Sequence, residues 1–525
     1  MLSGAGDWIV HVGAVLVGIA VGIGPTGGES ASAAEEGEKK KEEEKVDVYE
    51  AEKKKKRPTL KDEEKGPKFG AEDFIARKNF QSVKKQDEAI MRLKDLLEST
   101  AKENPERAEI LFNLSEMYWN KSKYYEQEAF RKQDQCYKLR DAGKKKEAQA
   151  CKRQMQRMLD ESKRLRKEAA GLYKKIIRNY PNYDQLDDVL YYLGTNLKEV
   201  GKHQEALKVF RKLLNNFPDT QYAADVWLSF GDYYFDKKSD PDRALKFYKK
   251  VQNFENSDVY AYARYKAAWC YYNLGRKKKA LDVFVDVIEY AKAHPDKPNA
   301  TSLIDQARKD IVLTYADFGS PDKAIPFFRE LTGDERKEVM EMAERLAIHY
   351  ADNAKYDEST EMYRRLIELN KKSIETIDYQ YEIVRNYTTQ DPYSKKAVKE
   401  LITLMKLVQY ARDGRFEGHD QKTFDEKRTK AEQYVRQWAT RYHREAQVTK
   451  SEALYKMASY IYKHYLKTFP NSEKIYAMTF FAGELQYHLE NWPKAAKLYE
   501  KALSLKKDGE YTKEAAHGAV LAYFK

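Results

Sequence analysis

The chain is poor in the residues that break helices and in those that build compact chemical sites. Fourteen prolines and three cysteines in 525 residues, with β-branched runs scarce, exclude a disulfide-dense scaffold, a proline-rich linker and a sandwich of many short strands. The nine histidines include no H-E-x-x-H and none beside a Cys-x-x-Cys pair, so no metal site is expected. GIGPTGGES, from Gly22 to Ser30, has the glycines of a phosphate loop but Gly28 where the lysine must stand. DGRFEGHDQKTF, from Asp413, has Gly418 at the sixth calcium-loop position but arginine at the third and phenylalanine at the twelfth, so calcium is not expected. Acid pairs such as Asp187 and Asp188 are read as solvated helix starts. With no catalytic constellation and no cofactor motif, the chain is read as not an enzyme.

Long apolar runs are lacking as well. The one candidate, Ile9 to Ile23, is shorter than the roughly 20 residues of a membrane helix. It is followed by the A-x-A cleavage pattern Ala31-Ser32-Ala33. Met1 to Trp8 contains no lysine or arginine, only Asp7, which departs from a standard export signal. Residues 1–33 are therefore expected to direct export to the periplasm, either removed or kept as an anchor; an uncleaved N-terminus together with reduced Cys136 and Cys151 would instead mark a cytoplasmic adaptor. No cysteine precedes the A-x-A site, so lipidation is not expected. Residues 34–70 carry EEGEKKKEEEK and EKKKKRPTLKDEEK, with too little apolar surface to offset the entropy of ordering, and are read as a disordered tether.

What is abundant is charge (34%) and tyrosine (40 residues), at helical spacing. From Asp187, Leu190, Leu193, Gly194 and Leu197 fall on one helical face. Gly201 breaks the run; Ala206, Phe210 and Leu213 form a second face, and Pro218 closes it. A helix pair of about 34 residues cannot bury its apolar face alone and needs stacked copies. Copies recur at Phe230/Gly231 with Ala244/Tyr248, with one extra residue placed in the turn at 237–242. They recur again at Ala267/Ala268 with Ala280/Phe284, at Ile311/Tyr315 with Ala324/Phe328, and at Leu346/Ala347 with Ser359/Tyr363. A weaker pair follows at Ile383/Tyr387 with Ala397/Leu401.

This pattern resembles the tetratricopeptide (TPR) repeat. LFNLSEMYW, YPNYDQLDDVLYYLG and ARYKAAWCYYNLG are similar to segments of large periplasmic TPR proteins of myxobacteria and related Gram-negative bacteria. The resemblance implies an all-α, right-handed TPR-type α-solenoid, a concave face that takes a peptide or helix of a protein partner, and a place in gliding-motility-type or outer-membrane machinery. The expected organisation is a lead-in helix over 71–105, a first repeat over 106–182 interrupted by a helical hairpin at about 120–168, and an array over 183–410. A loop over 411–426 and C-terminal repeats over 427–525 complete it, the last pair lacking its second helix.

The interruption is the basic element of the chain. Lys121 to Glu168 holds 16 lysines and arginines against 8 acids, including Lys132, Arg140, Lys144, Lys145, Lys146, Lys152, Arg153 and Arg157. Cys136 and Cys151 lie almost symmetrically about the Asp141-Ala142-Gly143 turn and are read either as a disulfide across the hairpin or as two free thiols. Cys270 is expected as a core thiol. The hairpin is either a solvated spacer or a contact for an anionic envelope surface. Nucleic acid is not an expected partner, since the hairpin's aromatics Tyr124, Tyr125, Phe130 and Tyr137 sit on one arm only. Candidate partner-binding residues on the first helices of the repeats are Asn196, Asp232, Tyr233, Lys266, Trp269 and Tyr272, or else Trp269 and Tyr272 pack on the next repeat.

Overall fold

A computed structural model describes residues 83–525. The segments read from the sequence as an export signal and a tether, and the first part of the expected lead-in helix, lie outside the described residues. Twenty α-helices follow one another, with no strand among the described residues. They fall into two compact units, one ending at Ala307 and the other beginning at Arg308.

In the first unit, α1 (Val83–Ser99) precedes two long helices, α2 (Glu106–Asp141) and α3 (Lys145–Asn179). The basic insertion adds no separate element. It lengthens both helices of the first repeat, which run unbroken from the core to a turn at Gly143 with φ +75°. Leu111, Leu114, Tyr118, Ala169, Tyr173 and Ile176 are buried at the root. Between Lys123 and Glu161 only Ala129 and Cys151 are buried, so the distal arms have almost no core of their own.

Then come α4 (Leu186–Glu199), α5 (His203–Asn216), α6 (Ala223–Asp232), α7 (Pro241–Val251), α8 (Tyr260–Asn273) and α9 (Lys277–Ala293). The small residue demanded by the repeat has a steric cause. A Cβ on Gly194 would meet the Phe210 ring at 2.3 Å, and one on Gly231 would meet the Tyr248 ring at 2.3 Å; Ala268 serves the same purpose beside Phe284, both fully buried. The turn between α4 and α5 uses Gly201 at φ +81°. There the Lys202 N–H donates to the Leu197 carbonyl at 2.8 Å and the Gly201 N–H to that of Lys198 at 3.0 Å, the paired bonds of a glycine-terminated helix end.

The extra residue of the third repeat is not in the turn where the sequence places it. It is absorbed earlier, as a π-helical turn over Tyr233–Lys237 that continues α6, with the Lys238 N–H donating to the Tyr233 carbonyl at 3.2 Å. Gly231 and Tyr248 are seventeen residues apart where Gly194 and Phe210 are sixteen. Widening one helical turn takes up that residue and keeps the glycine against the aromatic ring. The Asp240 carboxylate then caps α7 by accepting from the Arg243 N–H at 3.0 Å, with Pro241 in the first turn.

α10 (Ala300–Tyr315) contains the boundary. The second unit continues with α11 (Pro321–Thr332), α12 (Arg336–Asp352), α13 (Tyr356–Leu369), α14 (Thr376–Gln390), α15 (Lys395–Arg412), α16 (Gln421–Thr449), α17 (Glu452–Thr468), α18 (Ile475–His488), α19 (Trp492–Leu505) and α20 (Thr512–Phe524). Between α15 and α16 the chain is not a free loop: Phe416 is buried, and the Glu417 N–H donates to the Lys372 carbonyl at 2.8 Å. Gly483 and Gly518 both face Tyr499, so α20 packs on α19 as the next first helix would.

A polar latch recurs between successive helix pairs. The hydroxyls of Tyr183, Tyr222 and Tyr379 donate to Glu109, Asp188 and Glu344 on the preceding first helix. Burial, followed by these carboxylates, pushes all three phenols up, which keeps them protonated donors.

Candidate functional site

Two surfaces carry the residues singled out from the sequence. On the first, the first helices of consecutive repeats place Lys198, Asp232, Asp236 and Lys266 in a row of alternating charge. Lys266 Nζ lies 3.1 Å from Asp236 and 3.8 Å from Asp232, and 4.4 Å over the Phe235 ring. Lys198 reaches Asp232 from the other side at 3.8 Å, and the Tyr248 hydroxyl donates to Asp232 at 2.9 Å. Asp236 is available to Lys266 because the π-helical turn carries it there. Lys266 and Asp232 are buried while Asp236 at the end of the row is exposed, so removing Asp232 would leave the Lys266 charge enclosed with only Asp236 to meet it.

Of the six expected partner-binding residues, Asn196, Asp232, Lys266 and Trp269 are buried. Lys266 and Asp232 are engaged with each other, Trp269 packs edge-on to Phe284, and both amide atoms of Asn196 are enclosed without a hydrogen-bond partner. Tyr233 and Tyr272 are half-buried. Tyr233 sits edge-on to Tyr234 with Lys238 over its ring, and Tyr272 carries Lys277 Nζ 3.0 Å from its ring centroid.

On or just before the first helices lie further half-buried aromatics not singled out from the sequence: Trp119, Tyr192 and Tyr222. Trp119 and Tyr192 are 5.7 Å apart, Tyr192 and Tyr222 6.1 Å, and Tyr222 stacks on the buried Tyr191 at 3.9 Å. Their signal in the sequence is weak, because each adjoins an apolar stripe and reads as part of it.

The second surface is the hairpin. Cys136 and Cys151 are joined in a disulfide, with Cα atoms 5.5 Å apart. Arg140, Lys144, Lys145, Lys146, Lys152, Arg153 and Arg157 are exposed and Lys132 half-buried. At the root the charges are enclosed: Arg166 bonds Glu126 and lies 3.2 Å from Glu199, whose side chain is 4% exposed. Lys123 also meets Glu199, and the Trp119 indole N–H donates to it at 3.3 Å. Burial pushes the Glu199 carboxyl upward, but Lys123 and Arg166 outweigh it and hold the group below its ordinary value, ionised. Cys270 is buried, and burial pushes its thiol up, as befits a core residue. Among the described residues no group of three or more His, Cys, Asp or Glu could hold a metal, and no helix is long and apolar enough to cross a membrane.

Residues 188–220 and 262–292 match the family model of the tetratricopeptide repeat. The chain carries tetratricopeptide repeats. The matched segments are the α4–α5 and α8–α9 pairs, whose glycine or alanine against an aromatic ring has just been described. Among solved structures, the chain is similar to the C-terminal part of a TPR repeat-containing protein from Cytophaga hutchinsonii (14% identity, 55% of this chain and 98% of that one, TM-score 0.27). It is also similar to a tetratricopeptide repeat protein from Parabacteroides merdae (14% identity, 75% and 98%, TM-score 0.24) and to the apo form of RapI (10% identity, 74% and 98%, TM-score 0.30). No curated protein matches. The TPR architecture makes the chain a scaffold for protein–protein interaction.

Proposed function

We propose that this protein is a non-enzymatic TPR scaffold of the cell envelope, exported by its N-terminal segment, that holds protein partners of a gliding-motility-type or outer-membrane assembly. The observation that carries this reading is the face made by the first helices of the repeats, where Trp119, Tyr192, Tyr222, Tyr233 and Tyr272 remain partly accessible. Rigid aromatic side chains give contact area at low entropic cost. The Cys136–Cys151 pairing supports an oxidising compartment. The basic hairpin adds a positioning role against an anionic envelope surface.

The test is site-specific photocrosslinking in the native host, with a benzophenone residue at Tyr233 or Tyr272 and, as the comparison, at Lys208 on the exposed side of α5. Defined protein adducts from the two tyrosine positions and none from Lys208 are expected. Equal labelling from Lys208, or no adduct anywhere, overturns the reading. Mass spectrometry of the mature N-terminus tests export separately: an intact Met1 with reduced Cys136 and Cys151 would make the protein a cytoplasmic adaptor.

A further inference from the structure

The distal hairpin does more than carry a diffuse positive charge. On α3, Lys145, Lys146, Lys152, Arg153 and Arg157 recur at intervals of seven and four, so at 100° per residue they occupy an arc of about 140° over about 18 Å of helix. Gln149 and Gln156 lie between them, and all seven side chains are exposed. Among the described residues none of the five bases has an ion-pair partner. The pattern ends there: two turns further on, Arg164 is paired with both Glu161 and Glu168, and Arg166 is enclosed at the root. The opposite side of α3 faces α2, with Cys151 buried in the disulfide, so the rotation of the stripe about the helix axis is fixed.

We infer that this stripe is a docking face for an anionic phospholipid surface, against which α3 lies lengthwise. The choice of occupant follows from the shape and chemistry of the face. It is straight, convex and free of aromatic side chains, whereas a threaded strand of nucleic acid or an extended acidic peptide needs a groove with stacking or backbone contacts. It carries no apolar side chain that would enter the hydrocarbon, so the contact is with headgroups and weakens with salt. Arginine forks and lysine point charges with amide side chains between them match a field of phosphodiesters. The inference deepens the positioning role proposed for the hairpin and rests on the envelope reading, while partner capture by the helix face is read out independently through the crosslinks at Tyr233 and Tyr272.

The experiment is co-sedimentation of the full chain with vesicles of phosphatidylcholine alone and of phosphatidylcholine with phosphatidylglycerol, over a salt series. The readout is the increment in binding due to the anionic lipid, which separates the stripe from any insertion of the N-terminal apolar segment. Each lysine or arginine at an anionic surface strengthens binding about fivefold. The variant with Lys145, Lys146, Lys152, Arg153 and Arg157 all replaced by glutamine should therefore lose at least a hundredfold of the increment, with its disulfide and helicity retained. A control replacing five exposed lysines elsewhere, Lys208, Lys212, Lys278, Lys279 and Lys337, should keep most of it. No anionic increment in the parent chain, an increment unchanged in the stripe variant, or an equal loss in the control overturns the inference. So does salt-sensitive capture of an acidic protein through the stripe with no lipid binding.

Discussion

Replacing Cys136 and Cys151 with serine should melt the end of the hairpin and leave the repeats intact. The two residues are fifteen apart in sequence, and a cross-link closing a loop of that size limits the unfolded chain by about 3 kcal/mol. Elsewhere in the fold such a loss would be shared with a packed core. Here Ala129 and Cys151 are the only buried residues between Lys123 and Glu161, and an isolated pair of helices with so little buried area is marginal in water. The loss should thus appear as local opening rather than as a lower global stability. Hydrogen exchange followed by mass spectrometry resolves the two cases. Amides over 130–158 are expected to lose protection by roughly a hundredfold, the equivalent of 3 kcal/mol, while those of α4 and α5 stay unchanged. Retained protection over 130–158 would mean that the arms are held by something other than the disulfide. Loss of protection through α4 and α5 would mean that the arm and the array unfold as one unit. Either result refutes the reasoning.

Three further outcomes follow from the fold. Gly194→Ala would drive a Cβ to 2.3 Å from the Phe210 ring; a loss of about 1–3 kcal/mol from overpacking is expected in chemical denaturation, and a silent variant would show that the two helices can separate freely. Ala354 and Glu490 hold φ of +58° and +57° at the ends of α12 and α18, where Gly201 stands after α4, so Ala354→Gly and Glu490→Gly should each stabilise by about 1 kcal/mol, read as a raised denaturation midpoint. Burial raises the Asp225 carboxyl from its ordinary 3.8 to about 6. Because the folded value lies above the unfolded one, the native state binds the extra proton. The stability from this group is then complete below about pH 4 and is lost as pH rises through 6. Asp225→Asn should accordingly stabilise the protein at neutral pH by at most about 3 kcal/mol and make no difference below pH 4, checked by denaturation across that range.

The helix pairs were legible in the sequence because their spacing is set by sterics. Gly194 with Phe210 and Ala268 with Phe284 are size constraints that leave a direct imprint on residue type. The place of the extra residue was not legible. A turn and a π-helical widening cost the chain the same single insertion, and only the need to keep Gly231 against Tyr248 decides between them. The candidate partner face was read less well, since Lys266, Asp232 and Asn196 are polar residues that stacking encloses. Polarity at an intervening helical position signals exposure only when the neighbouring helix does not bring an opposite charge, and Asp236 is brought to Lys266 by the irregular turn. On the hairpin, charge, cysteine symmetry and the turn all lie within one short stretch, and local spacing was enough to place the turn and the facing cysteines, while the choice between a disulfide and two free thiols is made only by the structure.

The hairpin is clamped at both ends of its free length. At the base Glu199 ties Arg166 and Lys123 of the arms to the last turn of α4, and near the tip the disulfide prevents the two helices from sliding past each other. A pair of rods pinned at both ends bends far less readily than either rod alone. The arm measures roughly 28 Å from Lys123 to the turn at 1.5 Å per residue. A load applied at the basic tip is therefore delivered to α4 as leverage instead of being absorbed along the way, through the apolar root packed on α4 and the enclosed Glu199 carboxylate beside it.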